Sequence, residues 1–331
     1  MNVLGLDIGG AFIKYALLPA KGKPSRGIVP FELWKRPEKL AAALKPLKPK
    51  KPYAVAITMT GELCDCFENR RGGVRHIVQA AQLAFGPVAV YGVKGDLLSP
   101  EQAVRRHKEV ASANWPLVPR RLSLLAKNFL MADIGSTTLD LTPVRDGRIV
   151  NRGFTDYTRL RYGELVYTGA LRTPLATVTG ALITEGRKMP LAAETFCIMA
   201  DIHLLLKNIS PRDYVCPTPD GGPKTIRGAA RRLSRAVLAD ESDIGMTALL
   251  AAAREATGIQ RAHVVAAARR FQLPVIAVGS GAFILEPAFT DGTLTRHPLA
   301  AAKEVTALDP SLALAWHLKG DVYSRAALSP K

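Results

Sequence analysis

One pattern occurs twice in this chain: an apolar run, an aspartate near its end, a glycine turn and a second run that turns back. The first copy is LGLDIGGAFIKYAL, with Asp7, Gly9, Gly10 and Lys14. The second is FLMADIGSTTLDLTPV, with Asp133, Gly135, Ser136, Thr137, Thr138 and Asp140. Glycine lacks the Cβ that would block an approaching phosphate, and successive backbone N–H groups can wrap an anion. Lys14 and the hydroxyls of Ser136, Thr137 and Thr138 add donors. An aspartate at the strand end suits Mg²⁺, which prefers carboxylate oxygen. One such unit is an ordinary β-hairpin. Two of them suggest two lobes, each supplying a phosphate loop.

A third element, VIAVGSGAFI, puts Gly279, Ser280 and Gly281 after a buried strand, where such folds pack backbone against adenosine. In this order the three predict an α/β chain with a two-lobed, actin-like ATPase fold of ribonuclease H-like lobes, as in the acetate kinase, sugar kinase, heat-shock ATPase and actin superfamily. The 331 residues, 48% of them hydrophobic, suffice for two cores and exclude a disordered chain. The expected division is residues 1–120, 121–290, and a tail 291–331 packing back on the first lobe.

Strands are expected over Asn2–Ile8, Phe12–Leu18, Tyr53–Met59, Pro87–Val93, Phe129–Val144 (two strands and a turn), Arg148–Asp156 and Pro274–Val278. Helices are expected over Pro37–Leu44, Val74–Ala84, Leu191–Leu206, Lys224–Ala239 and Met246–Phe271. Another should start at Ser99, where Ser-Pro-Glu-Gln forms a capping box, and run to about Ala113. Three prolines make Lys45–Pro52 an exposed basic loop.

Lys and Arg number 45 against 28 Asp and Glu, a net charge of +17. Such a field draws polyanions, but the basic residues are scattered and only 6% of residues are aromatic, which disfavours a nucleic-acid platform. Phosphorylated small molecules fit better, and the plainest reading of the charge is a basic proteome or a solubility effect. Cys64, Cys66, Cys197 and Cys216 lack zinc spacing and are expected as reduced thiols. The absence of a signal peptide or an apolar span leads us to expect a cytoplasmic protein without a membrane partner.

The order DIGGAFIK, TMTGELCDCF, ASANW, DIGSTTLDLTPV, RLRYGELVYTGALRTPL and ADIHLLL resembles the hydantoinase/oxoprolinase-like family of tetrahydromethanopterin-linked one-carbon metabolism, over about residues 1–285. That resemblance implies a transferase of methanofuran or methylofuran biosynthesis. Its substrates would be an aminomethylfuran methyl diphosphate and the phenol of γ-glutamyltyramine or a polyglutamylated analogue; an ether forms and diphosphate leaves. Mg²⁺ on Asp7 and Asp133 would neutralise the diphosphate. ATP binding is compatible with the loops but not required by this reading, and a homodimer stays open. Phe12 stands where relatives are expected to carry a small polar residue. The alternatives are an ATP-dependent kinase or an oxoprolinase-type hydrolase, and a nucleotide-binding scaffold without turnover.

Within that reading Thr58, Thr60, Glu62 and Asp65 follow a buried strand and point to the reaction centre. Glu62 would take the phenol proton or hold a metal-bound water; otherwise it is a helix N-terminal carboxylate. Asp133 and Glu164 are the other expected catalytic carboxylates. Arg159, Arg161, Tyr162, Tyr167, Arg172 and Thr173 would receive a γ-glutamyl carboxylate and a tyramine ring, or else form a basic surface loop. Glu194 and Asp201, seven apart on one helical face, would meet an aminomethyl cation, or else, as is more common for such residues, are solvated or cap a neighbour.

Overall fold

The computed structural model describes residues 1–184, 186–302, 305 and 308–328, with side chains described through residue 320. By packing, the chain divides into two compact units. The first comprises Met1–Lys127, Val144–Arg159 and Ala301–Lys331; the second comprises Asn128–Pro143 and Leu160–Ala300. The first unit thus takes up two later stretches in addition to an amino-terminal one.

Six strands build the sheet of the first unit: β1 (Asn2–Ile8), β2 (Phe12–Leu18), β3 (Ser25–Pro30), β4 (Tyr53–Met59), β5 (Ala89–Tyr91) and β6 (Leu97–Leu98), in the order β3-β2-β1-β4-β5-β6. β1 is antiparallel to β2 and parallel to β4. Leu4, Leu6, Ile8, Val55, Ile57 and Met59 are buried in one cluster with Val74, Ile77 and Val78 of the helix Arg70–Phe85. Strands covered on both faces read as continuous apolar runs, which is how β1 and β4 were recognisable. The helix Pro310–Leu328 covers β1; a Cβ on Gly5 would stand 2.7 Å from the Ala315 amide nitrogen, so only glycine permits this approach.

In the second unit β7 (Phe129–Ile134) and β8 (Leu139–Arg145) form the repeated hairpin. β8 runs into the first unit, where its end pairs with β9 (Arg148–Ile149). β10 (Leu165–Val166) and β13 (Val275–Val278) complete the order β10-β8-β7-β13, with β13 parallel to β7. β11 (Ala181–Thr184) and β12 (Arg187–Pro190) pair separately. Helices Met199–Leu205, Ile226–Ala236 and Met246–Arg269 pack around Leu130, Ala132, Ile134, Leu139 and Leu141.

Four expectations change. Residues Arg148–Asp156 hold only the two-residue β9, and Asp156 opens the helix Asp156–Tyr162. The helix from Ser99 keeps its capping box, but turns at Arg106 and ends at Val110. Of Leu191–Leu206 only Met199–Leu205 is helical, so Glu194 and Asp201 do not share a helix face. Lys45–Pro52 begins with a 3₁₀ turn, Lys45–Leu47, and buries Pro49. Among the described residues no helix is long and apolar enough to cross a membrane.

Candidate functional site

The two repeated turns close in the same way. Gly9 donates its amide to the Phe12 carbonyl at 3.0 Å, and Gly135 donates to Thr138 at 2.8 Å. Phe12 therefore contributes its backbone to the closure, whatever its side chain.

The match extends one strand further in each unit. Each aspartate sits opposite the neighbouring parallel strand, Asp7 opposite Thr58 and Asp133 opposite Val278. The turn leaving that strand then donates to the residue after the aspartate. Thr60 and Gly61 donate to the Ile8 carbonyl at 3.0 and 3.1 Å, and Gly281 donates to Ile134 at 2.8 Å. TMTG in the first unit thus does the packing that GSG does in the second. The sequence displayed both motifs, but only register shows that they are counterparts.

In the first unit Asp7 is buried and lies opposite Lys14 across the β1–β2 pair. Its Oδ1 has no hydrogen-bond partner. Burial raises its carboxyl above the ordinary range, against the pull of Lys14 and a hydrogen bond from Asn114. Thr58 Oγ1 is likewise buried and unpartnered. Among the described residues no cluster of three or more His, Cys, Asp and Glu side chains is assembled for a metal. Mg²⁺ is commonly held by one or two carboxylates with water and substrate phosphate, and the unsatisfied oxygen of Asp7 fits that role.

Glu62 is fully buried in the turn after β4. Asn69, not Glu62, caps the helix Arg70–Phe85 by accepting from the Gly72 amide. Glu62 Oε1 lies 2.9 Å from Ser112 Oγ, while Oε2 has no partner. Desolvation pushes its carboxyl up to about 7, with Asp156 raising it further and Ser112 and Arg70 opposing. Cys64 packs beside Gly10, where a Cβ would meet its Sγ at 2.9 Å, and burial pushes this free thiol up to about 11. Thr60 and Asp65 are exposed.

In the second unit the segment Gly169–Arg172 closes on the Gly135–Thr138 turn. Ala170 donates to the Gly135 carbonyl, and Leu171 and Arg172 donate to Ser136. A Cβ on Gly279, whose φ is +88°, would meet Asp133 Oδ1 at 2.5 Å. Behind Gly169 lies a hydrogen-bonded chain that runs from exposed Asn208 to buried His203, Gln260 and Thr168. Asn208 donates to His203 Nδ1 (3.2 Å), so His203 donates from Nε2 to Gln260 Oε1 (3.1 Å); Gln260 Nε2 donates to Thr168 Oγ1 and the Gly169 carbonyl (3.0 and 2.9 Å). Burial drops His203 to about 4, keeping it neutral.

The expected substrate-binding residues do not form one cluster. Arg159 is buried in the first unit, its guanidinium 4.3 Å from the Trp115 ring centre. Arg161 and Tyr167 are exposed, and Tyr162 is half-buried. Arg172 is exposed and lines a pocket with Thr195, Ile198, Cys216, Pro217 and Pro219. Thr173 supports the turn by accepting from the Gly169 amide (2.8 Å). Glu164 is buried beside β10, and its backbone carbonyl accepts from Leu141. Ser280 is exposed between the two glycines. Asp201 is taken up within the protein: it accepts from Arg232 Nε (2.8 Å), Tyr214 (3.0 Å) and the Ile198 amide (3.1 Å), all buried. Sequence reasoning assigned nothing to Ser112, Asn114 or Asp156. ASANW was the available signal for the first two.

Two hairpins of this kind, each beside a parallel strand, belong to an actin-like α/β fold. The acetone carboxylase solved in a nucleotide-free state shares this fold, with a TM-score of 0.56 and 10% identity, over 95% of this chain and 70% of that one. The hydantoinase/oxoprolinase family model matches residues 54–273, and the chain belongs to that family. It is 32% identical, over 95% of its length and 96% of the relative's, to the (4-{4-[2-(gamma-L-glutamylamino)ethyl]phenoxymethyl}furan-2-yl)methanamine synthase of Methanocaldococcus jannaschii. The Methanococcus vannielii protein of that name is 38% identical over 36% of this chain and 53% of its own. Both relatives carry the name of a synthase of the kind that the family resemblance implied.

Proposed function

We propose that this protein joins the phenol of γ-glutamyltyramine, or of a polyglutamylated analogue, to an aminomethylfuran methyl diphosphate, releasing diphosphate. The observation that carries this reading is 32% identity across 95% of the chain to a synthase whose named product links a phenoxy group through a methylene to a furan bearing an aminomethyl group.

In this reading the amides of Gly9 and Gly10, with Lys14, are the phosphate-binding groups of the first unit, and those of Gly135–Thr138 the phosphate-binding groups of the second. Asp7 in the first unit and Asp133 in the second are the candidate Mg²⁺ ligands, and the ion would supply positive charge to the departing diphosphate. Gly279 and Gly281 pack closely on Asp133 and Ile134, and Ser280 is exposed between them as a candidate substrate contact. Glu62 takes the phenol proton as the new C–O bond forms and the C–O bond to diphosphate breaks. A free phenol has a pKa of about 10, so few molecules are ionised at neutral pH. A base near 7 is half ionised there and suits general-base work. Glu164 is the candidate second carboxylate, and Arg172, with its pocket, the candidate acceptor for a glutamyl carboxylate.

The test is mass spectrometry after incubation with both substrates and Mg²⁺. The expected result is ether and diphosphate in equal amounts without nucleotide. ADP formation that depends on the phenol would overturn it.

A further inference from the structure

Glu62 is enclosed, yet a base that accepts one proton per turnover must also lose it. The residue beside it has an uncommon backbone. Ser112 has φ +50°, a left-handed conformation that costs a non-glycine residue energy and occurs where the surroundings impose it. The outcome is a hydroxyl between two carboxyls, 2.9 Å from Glu62 Oε1 and 2.8 Å from Asp156 Oδ2. A hydroxyl has one proton and can donate to only one of them. The other contact is a hydrogen bond only if that carboxyl carries a proton and donates to Ser112. The charges agree: Arg70 lies 3.7 Å from Asp156, so two carboxyls, one guanidinium and one added proton sum to zero.

We propose that Glu62 and Asp156 share one proton through Ser112, and that Asp156 is the outlet by which Glu62 loses its proton to water. The two ends differ as this requires. Glu62 is 0% exposed, whereas the Asp156 side chain is 24% exposed. Glu62 passes its proton to Ser112 Oγ, Ser112 passes its own to Asp156 Oδ2, and Asp156 releases one to solvent. Atoms and charge balance without a co-reactant. The other titratable groups near Glu62 are Arg70 on the following helix and Cys64 and Asp65 on its own turn. Ser112 and Asp156 act through Glu62 and are positioning residues. The proton's origin on a phenol rests on the function proposed above; the shared proton does not.

Two measurements separate these claims. Infrared difference titration of ¹³C-glutamate-labelled protein follows Glu62 without substrate. Asp156→Asn removes a neighbouring negative charge and should lower the pH at which Glu62 ionises; Ser112→Ala removes a donor and should raise it. A Glu62 titration unmoved in both variants overturns the shared proton. Turnover tests the outlet: Asp156→Asn should lower kcat about tenfold or more, leave KM unchanged, and recover in part with imidazole buffer. A normal kcat overturns the outlet. If the unaltered protein makes no ether, the proposed reaction falls, and the titration still decides whether the proton is shared.

Discussion

Gly169 is pressed against Thr137: a Cβ at residue 169 would stand 2.5 Å from the Thr137 amide nitrogen and 2.7 Å from the Gly135 carbonyl oxygen. Both neighbours are backbone of the Gly135–Thr138 turn, so the turn itself must move to admit a side chain. Overpacking of this kind costs about 1–3 kcal/mol. Gly169→Ala should lower the melting temperature and weaken inhibition by inorganic diphosphate. Both can be measured on one preparation. A variant that melts and binds diphosphate like the parent would show that the turn is not held in this way.

Asp201 holds the second unit together. Its partner Arg232 is fully buried and also bonds Asp220 at 3.1 Å. Asp201→Ala strands that guanidinium without its main counter-charge and should cost about 3–5 kcal/mol in denaturant unfolding. Replacing Arg232 by Met in the same chain should recover part of the loss, because the charge left behind is removed as well. A ligand-binding Asp201 would instead show near-normal stability and a raised KM.

What could be read from the sequence follows from how local each signal is. The strand-turn-strand units were legible because apolar run, aspartate, glycine and returning run are contiguous. So was the Ser99 capping box, in which all partners lie within four residues. Leu191–Leu206 misled because its alanine-rich composition suits a helix, whereas Asp201 caps a later start by accepting from Ile198. Arg159 looked like a ligand-binding arginine because the ring its guanidinium lies over, Trp115, is 44 residues upstream (159 − 115). Ser112 and Asp156 were not assigned for the same reason. Neither contact has a sequence period, and the left-handed backbone at Ser112 leaves no compositional mark.

Asp7 combines burial with an unpartnered oxygen, an arrangement that is costly while the carboxylate lacks a cation. The unaltered protein should melt higher when Mg²⁺ and inorganic diphosphate are added together, by ordinary linkage. Asp7→Asn should lose that increment. It should also melt at or above the parent temperature in chelator, since it removes a buried charge. A variant that keeps the full Mg²⁺ response would take Asp7 out of the cation site.

Glu62 brings stability and activity into opposition. Burial pushes its carboxyl from 4.5 to about 7, so the folded protein keeps a proton that the unfolded chain gives up between those values. Its folded state therefore loses stability as pH rises from about 4.5 to 7, by on the order of 3 kcal/mol for a shift of this size. Glu62→Gln keeps the shape and cannot ionise. It should melt above the parent protein at pH 8, and the gap should close near pH 5. Turnover should fall about tenfold or more at pH 7 and recover in part at high pH, where more of the phenol ionises unaided. A helix-capping glutamate would give the opposite: turnover near normal and a small loss of stability at all pH values above its titration. Asn69 already fills that role. Melting curves at pH 5 and 8 with a pH–rate profile of this one variant decide the matter, and a variant indistinguishable from the parent at pH 8 in both would end the assignment of Glu62 as the base.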